Sequence, residues 1–277
     1  YFHASYLVDS GKINEAKQVI DTSLELHPRN LLLNQYKIDL NGVKNINNFN
    51  CQNQSHVAAE ILYIVANALS TQSIYTSSNF YLNIAKYLNN NFHSFDNLLA
   101  ENFYKINNLT QAKNIYKNLA NQGAAYNWYA AKRNFVILIK QDEQREALKF
   151  LTNNYNKLPK KNIYETYDYA SFLKNNDQFN NSIKFYSEVI QKIEKSHSLY
   201  PKALDGRGVA YERLGEWKKA EKDLLASLDA SPNQAYVINY LAYSWIELGV
   251  NIEQSLKMLK KANNIKLNDP YITDSLG

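Results

Sequence analysis

"GRGVAYERLGEWKKAEKDLLASLDASP", residues 206–232, is the stretch whose reading decides the fold. Gly208, Ala220 and Ser227 set small side chains at intervals through a helix-favouring run, Gly215 interrupts it, and Pro232 closes it. Apolar residues recur every three or four positions, as Leu224 with Leu228, which is the helical period. The stretch therefore reads as helix, turn, helix. Two antiparallel helices joined by a tight turn bring their axes close only where the crossing side chains are small. Gly208 supplies one side of that crossing and Ala220 the other. Ser227 falls where the second helix meets the following unit. Pro232 stops that helix, because its ring clashes with the preceding turn and its nitrogen has no proton to donate.

The same setting returns along the chain. With Ala220 as anchor, a small residue followed four positions later by an apolar one occurs at Ser78, Ala112, Ala147, Ser182, Ala220 and Ser255, in steps of 34, 35, 35, 38 and 35 residues. About twelve residues before the anchors stands a second small residue, Ala66, Ala100, Ala170, Gly208 or Ala242, with Phe135 as the exception. The N-terminus carries the unit too, in Ala4, Gly11, Ala16, Ile20, Leu24 and Pro28. Such a period marks stacked repeats, each burying its apolar face on its neighbours. The expectation is an all-α chain, a superhelical α-solenoid of helix-turn-helix units forming a single array over residues 1–277. About seven repeats are expected, plus the start of another at "DSLG", residues 274–277.

Two intervals need explanation. Ala16 to Ser78 is 62 residues, nearly two steps, so 31–56 is expected to hold a degenerate repeat. In it, "NLLLNQYKIDL" forms a first helix, while the Asn-rich "NGVKNINNFNCQNQ" has turn chemistry and leaves a second helix short or absent. The 38-residue step is expected to come from "SEVIQKIEKSHSLYP", residues 187–201, lengthening the second helix of the Ser182 unit.

Composition narrows the function. A net charge of +5, with Lys interleaved among Glu and Asp, points to no nucleic acid or acidic substrate. The densest basic groups, Lys157 with Lys160 and Lys161, and Lys257 with Lys260 and Lys261, lie near helix ends, where cations suit the helix dipole. A lone Cys51 excludes an internal disulfide and leaves the compartment, cytoplasm or periplasm, open. The longest apolar run, "AAEILYIVANAL" at 58–69, is too short for a bilayer and contains Glu60 and Asn67, so it reads as a core helix. A chain opening at Tyr1 and stopping at Gly277 in mid-pattern is expected to be a piece of something longer.

Convergent reactive groups are not evident. His3, His27, His56, His93 and His197 are scattered, with no pair at the spacing that puts two metal ligands on one helix face. Cys51 has no neighbouring His, no phosphate-binding or nucleophile-elbow motif occurs, and Glu212 with Glu216 reads as solvated helix surface. The expectation is a chain without catalytic residues, metal or cofactor.

Leu204, Gly208, Tyr211, Ala220, Leu224 and Pro232 resemble the tetratricopeptide repeat, whose pattern runs W-x2-L-G-x2-Y, A-x3-F, P; Arg207 departs from its Leu. Ile238, Leu241, Ala242, Trp245, Ser255, Leu259 and Ala262 repeat the match. The chain is similar to long bacterial members of that family, most closely over 200–277, less over 95–200 and least over 31–60. The resemblance implies a right-handed superhelix whose first helices line a concave groove. Transferred by register, the groove candidates are Tyr104, Tyr129, Lys132, Val136, Tyr164, Tyr167, Ser171, Asp205, Tyr236, Asn239 and Tyr243.

Tyrosine dominates that set, and tyrosine combines large buried area with a polar tip at small entropic cost. The implied role is a non-catalytic scaffold holding a protein or peptide segment, extended or helical. The alternative is a recruitment arm of a larger enzyme, such as a transferase or peptidase, with its catalytic domain elsewhere. The Lys, Asn and Arg clamp with which some members hold acidic C-termini is not matched. Lys132, Tyr167, Asp205 and Asn239 fill one of the two groove positions compared with it, and Val136, Ser171, Val209 and Tyr243 the other. Self-association is a further expectation, through an apolar stripe of Ile252, Leu256, Leu259 and Ile265.

Overall fold

The computed structural model describes residues 1–42 and 49–276, and among these every regular element is a helix. They fall into two compact units, Tyr1–Pro159 and Lys160–Gly277. In the first, helices pair as α1 (Phe2–Asp9) with α2 (Ile13–Leu26), α4 (Gln54–Thr71) with α5 (Tyr75–Leu88), α6 (Ser94–Lys105) with α7 (Leu109–Leu119), and α8 (Ala124–Lys140) with α9 (Gln144–Lys157). Between the first two pairs stands α3 (Leu31–Asn41). The second unit pairs α10 (Ile163–Lys174) with α11 (Phe179–Lys192), α12 (Tyr200–Arg213) with α13 (Trp217–Ala230), and α14 (Ala235–Glu247) with α15 (Ile252–Ile265). Next comes α16 (Pro270–Leu276), where the opening of another repeat is expected; Gly277 lies outside the described residues.

Every anchor, from Ala16 through Ser255, is fully buried. So are its partners Ala4, Ala66, Ala100, Ala170 and Ala242. Contact across the pair is direct, since Ser78 Oγ donates to the Ala66 carbonyl at 2.7 Å. A Cβ at Gly208 would lie 3.0 Å from Leu224 Cγ and 3.3 Å from the Ala220 carbonyl. Four positions after the anchors, Ile20, Leu82, Tyr116, Leu151, Tyr186, Leu224 and Leu259 are all buried, so each second helix turns one apolar stripe onto its first. Phe135, the one large residue in this series, is buried as well.

The turns share one backbone requirement. Five residues before the anchor the chain is left-handed at Gly11 and Gly215, and equally at Ser73, Asn107, Asp142 and Asp177. Asn and Asp tolerate that region because their short side chains bond locally, which is how the turn persists where glycine is missing. In the last pair the interval from Ala242 to Ser255 is thirteen residues, not twelve. The added residue sits in the turn, where both Gly249 and Asn251 are left-handed.

Three expectations are corrected. The 38-residue step does not lengthen a helix: α11 has 14 residues, as α9 and α13 do. The additional residues form the connection after Lys192. There the His197 amide donates to the Glu194 carbonyl, and the Leu199 amide donates to His197 Nδ1 at 3.0 Å. Local polar bonds of this kind compete with helix continuation. Second, the run 58–69 is not a core helix. In α4 only Ala59 and Ala66 are buried, while Val57, Ile61, Ile64 and Val65 are 37–61% exposed. Third, Leu259 does not belong to an outward stripe, because it is the buried residue four after the Ser255 anchor; Ile252, Leu256 and Ile265 remain exposed.

The exposed side of α4 follows from where α3 goes. Instead of lying beside α4, α3 packs on α2 and α8. The Ala125 amide donates to Gln35 Oε1 at 3.0 Å. Leu31 joins the apolar cluster of α6, α7 and α8, and Leu32 that of α4, α5 and α6. Tyr1 lies between Tyr36, with ring centroids 4.9 Å apart, and Phe92, at 5.5 Å. Of the segment 41–54, where a second helix is expected to be short or absent, residues 43–48 lie outside the described residues and 49–53 carry no helix.

A substitution tests the packing of the second unit. Glycine inside a helix costs about 1 kcal/mol relative to alanine, so Gly206→Ala would ordinarily stabilise α12. Here the new Cβ would stand 2.4 Å from Tyr186 Cζ, and that ring is buried edge-on against Tyr167. Gly206→Ala is expected to lose a net ~1–2 kcal/mol in urea unfolding. In a Tyr186→Leu background, with the ring gone, the same change is expected to be neutral or stabilising.

Candidate functional site

First helices of the pairs, α6 and α8 in one unit and α10, α12 and α14 in the other, carry every groove candidate. In the first unit two of the four candidates, Tyr104 and Tyr129, gather around a residue that the sequence reading passed over, Glu101. Tyr116 donates its hydroxyl to Glu101 Oε1 at 2.6 Å, Tyr129 donates to the same oxygen, and Arg133 pairs with Oε2. Arg133 Nε also donates to the Tyr116 hydroxyl at 3.2 Å, and its guanidinium lies 4.8 Å from the Tyr104 ring centroid. Lys140 completes the group, 5.4 Å from the same ring and bonded to Asn107 Oδ1 at 2.7 Å.

Burial and the Glu101 charge both push the Tyr116 and Tyr129 phenols well above their ordinary range, so both remain protonated donors. Burial alone would lower Arg133, but the Tyr116 hydroxyl and Glu101 more than reverse it. Glu101 and Arg133 keep about a quarter of their side-chain surface exposed, 25% and 23%. The arrangement is a polar and aromatic patch half-open at Glu101 and Arg133 on the first helices α6 and α8, with Tyr116 of α7 fully buried beneath it. Lys132 lies 5.9 Å from the Trp128 ring centroid, and Val136 is half-buried nearby on α8.

In the second unit the candidates are spread along the first helices. Tyr164 lies beside His197, ring centroids 5.9 Å apart. Tyr167 meets Tyr186 edge-on at 5.7 Å, and Ser171 bonds the Tyr186 hydroxyl. Burial raises the Asp205 carboxyl, with Lys174 opposing it. Tyr236 donates to Asp269 Oδ2 at 2.7 Å and accepts from Lys266 Nζ at 2.8 Å, with that ammonium 4.1 Å from its ring centroid. Asn239 Nδ2 donates to Ser275 Oγ on α16 at 3.1 Å. Tyr243 is 45% exposed and bonded to Glu247. Tyr129 and Tyr167 are therefore tied into packing, while Tyr236 and Tyr243 present open ring surface.

Among the described residues no group of three or more His, Cys, Asp or Glu is placed to hold a metal ion, and no helix is long and apolar enough to cross a membrane. Cys51 is exposed.

No family model matches the chain. A TPR repeat-containing protein of Pseudomonas aeruginosa is 26% identical over 144 residues, a match covering 51% of this chain and 23% of that protein. Among solved structures, a tetratricopeptide repeat protein from Parabacteroides merdae superposes with a TM-score of 0.57 at 14% identity, over 99% of this chain and 94% of its own. The APC/C hetero-tetramer Cut9–Hcn1 gives 0.56 at 14% identity, over 95% of this chain and 52% of the matched one. The chain has the tetratricopeptide-repeat fold. Within a tetratricopeptide repeat, the residue that distinguishes Glu101 from any solvated glutamate is Arg133, 32 residues later and one repeat on. That near-repeat spacing was the available signal for the pair, and only the stacking of α6 against α8 turns it into contact.

Proposed function

We propose that the chain is a non-catalytic scaffold that holds a protein or peptide segment against the first helices of its repeats. The observation that carries this reading is the Glu101 cluster. Aromatic faces, a fixed cation and a carboxylate are gathered on adjacent first helices, held rigidly and left half-open, which is the composition of an interface hot spot. Tyr243 offers an open ring in the second unit, and Tyr236 an exposed ring with the Lys266 ammonium on one face. A rigid patch of this kind binds at a low ordering cost, since its side chains are already fixed.

The test begins with crosslinking of the intact chain in its native host and identification of the contacted segment. That segment is then synthesised and titrated. Tyr104→Ala and Tyr243→Ala are the informative variants, because Tyr243 is 45% exposed and Tyr104 is only partly buried, at the edge of the cluster of α6, α7 and α8. At least one is expected to weaken binding about tenfold or more, equivalent to ~1.4 kcal/mol. Lys222→Ala, on the exposed side of a second helix, is expected to stay within about twofold of the unmodified chain. Unchanged affinity in both tyrosine variants would place the site elsewhere.

A further inference from the structure

The first unit shows how this chain completes a tyrosine and carboxylate group on its first helices. Glu101 takes the hydroxyls of Tyr116 and Tyr129, and Arg133 of the next repeat answers its charge while lying on the Tyr104 ring. The second unit repeats the group without the cation. Tyr243 on α14 gives its hydroxyl to Glu247, and the Asp274 carboxylate on α16 acts on that hydroxyl as well. Asp274 follows Tyr243 by 31 residues, nearly the 32 that separate Glu101 from Arg133. At nearly the spacing where the first unit brings an arginine, the second brings another carboxylate.

Glu247 is the one charged side chain of α14 and Asp274 that of α16, and among the described residues neither makes an ion pair. Cations of the neighbouring segments are engaged elsewhere, Arg207 with Asp223, Arg213 with Glu212 and Lys266 with Asp269. Two further acceptors lack donors. Asn239, one turn before Tyr243, is tied to Ser275 of α16 through Nδ2, and its Oδ1 is buried without a hydrogen-bond partner. Asp205 on α12 accepts no hydrogen bond among the described residues, and its charge is felt at the Tyr240 hydroxyl on α14. An acceptor left without a donor costs free energy that a donating ligand recovers.

We infer that the face formed by α12, α14 and α16 is a docking surface for a basic peptide segment, with an arginine side chain laid on the open Tyr243 ring against Glu247 and Asp274. The inference rests on the scaffold reading and names its partner class. The Tyr243 ring is 45% exposed, and a cation on an aromatic face beside carboxylates is held by both. A guanidinium presents five donors in one plane, which serves several acceptors at once better than an ammonium does. The chain carries a net charge of +5, so its overall field does not draw a cationic peptide, and capture of one reports a local surface.

The probe is a fluorescent peptide alternating four arginines with three serines, titrated into the intact chain at about 50 mM salt, where exposed charges are little screened. Its twin carries citrulline, of the same shape without the charge. The arginine peptide is expected to bind about tenfold or more tightly than the citrulline peptide, and Glu247→Gln/Asp274→Asn to remove that advantage. Both side chains are exposed, so the double variant keeps the fold. Asp229→Asn, an exposed carboxylate on α13, controls for net charge and is expected to stay within about twofold. Equal binding of the two peptides, no measurable binding of either, or an equal loss in Asp229→Asn overturns the inference. A native segment that needs Tyr243 yet ignores the Glu247 and Asp274 substitutions would keep the scaffold reading and remove this one. An arginine peptide that responds to them, while the native segment ignores both tyrosine variants, would do the reverse.

Discussion

Asp223→Ala is expected to remove about 3–5 kcal/mol of stability, the cost of leaving a buried charge without its partner. Asp223 on α13 is 5% exposed and takes a two-pronged bond from Arg207 on α12, at 2.6 Å from Nε and 2.8 Å from Nη2. The remaining guanidinium nitrogen donates to Ser187 Oγ on α11 at 2.9 Å, so one side chain ties three helices. Burial alone would lower the guanidinium, and the Asp223 hydrogen bond and charge more than reverse it. Removing the carboxylate therefore strands a desolvated cation. Arg207 is also the position where the repeat pattern has Leu, which suggests the compensating change. Arg207→Leu with Asp223→Ala replaces the pair by apolar packing and is expected to return to within about 1 kcal/mol of the original, since buried ion pairs are often no better than hydrophobic substitutes. Urea unfolding of the two singles and the double gives the coupling directly. A loss below about 1 kcal/mol for Asp223→Ala would show that the pair is solvated and structurally idle.

Ala220→Leu is the second large effect. The methyl of Ala220 is fully buried, and the crossing it faces is so close that even a Cβ at Gly208 would stand 3.3 Å from the Ala220 carbonyl. Three additional carbons have no space unless α12 and α13 separate. Separation would expose Leu224 and Leu241, both fully buried. Overpacking of a filled core costs ~1–3 kcal/mol, and a crossing that cannot relax without parting two helices falls at the upper end, about 3 kcal/mol. Leucine has nearly alanine's helix propensity, so the loss reports packing and not local preference.

What could be read from the residues follows the range of the interaction. The anchors, the stripe four positions later and the turns are local, and each repeat restates them, so Ala66 with Ser78 and Gly208 with Ala220 were legible as pairs. Asn107, Asp142 and Asp177 could stand where Gly215 does because the left-handed turn admits them. The connection after Lys192 was misjudged because Ile193 and Glu194 fit a helix equally well, and only the bonds of His197 and Leu199 divert the chain. The exposed face of α4 was invisible for a different reason. An apolar run reads as core only if its neighbour is present, and α3 contacts α8 across more than 80 residues of sequence. Glu101 was hidden in the same way. A glutamate on a helix is ordinarily solvated, and its partners Tyr129 and Arg133 come from the next repeat.

The most direct measurement is a set of urea unfolding curves for single leucine substitutions at Ala16, Ser78, Ala112, Ala147, Ser182, Ala220 and Ser255, with Lys218→Leu and Lys222→Leu as exposed controls. Close-packed crossings predict a lowered midpoint at every anchor and midpoints within experimental error of the original at both lysines. Anchors that accept leucine as readily as the lysines do would contradict the account, because the helix pairs would then be held by something other than close approach at small residues.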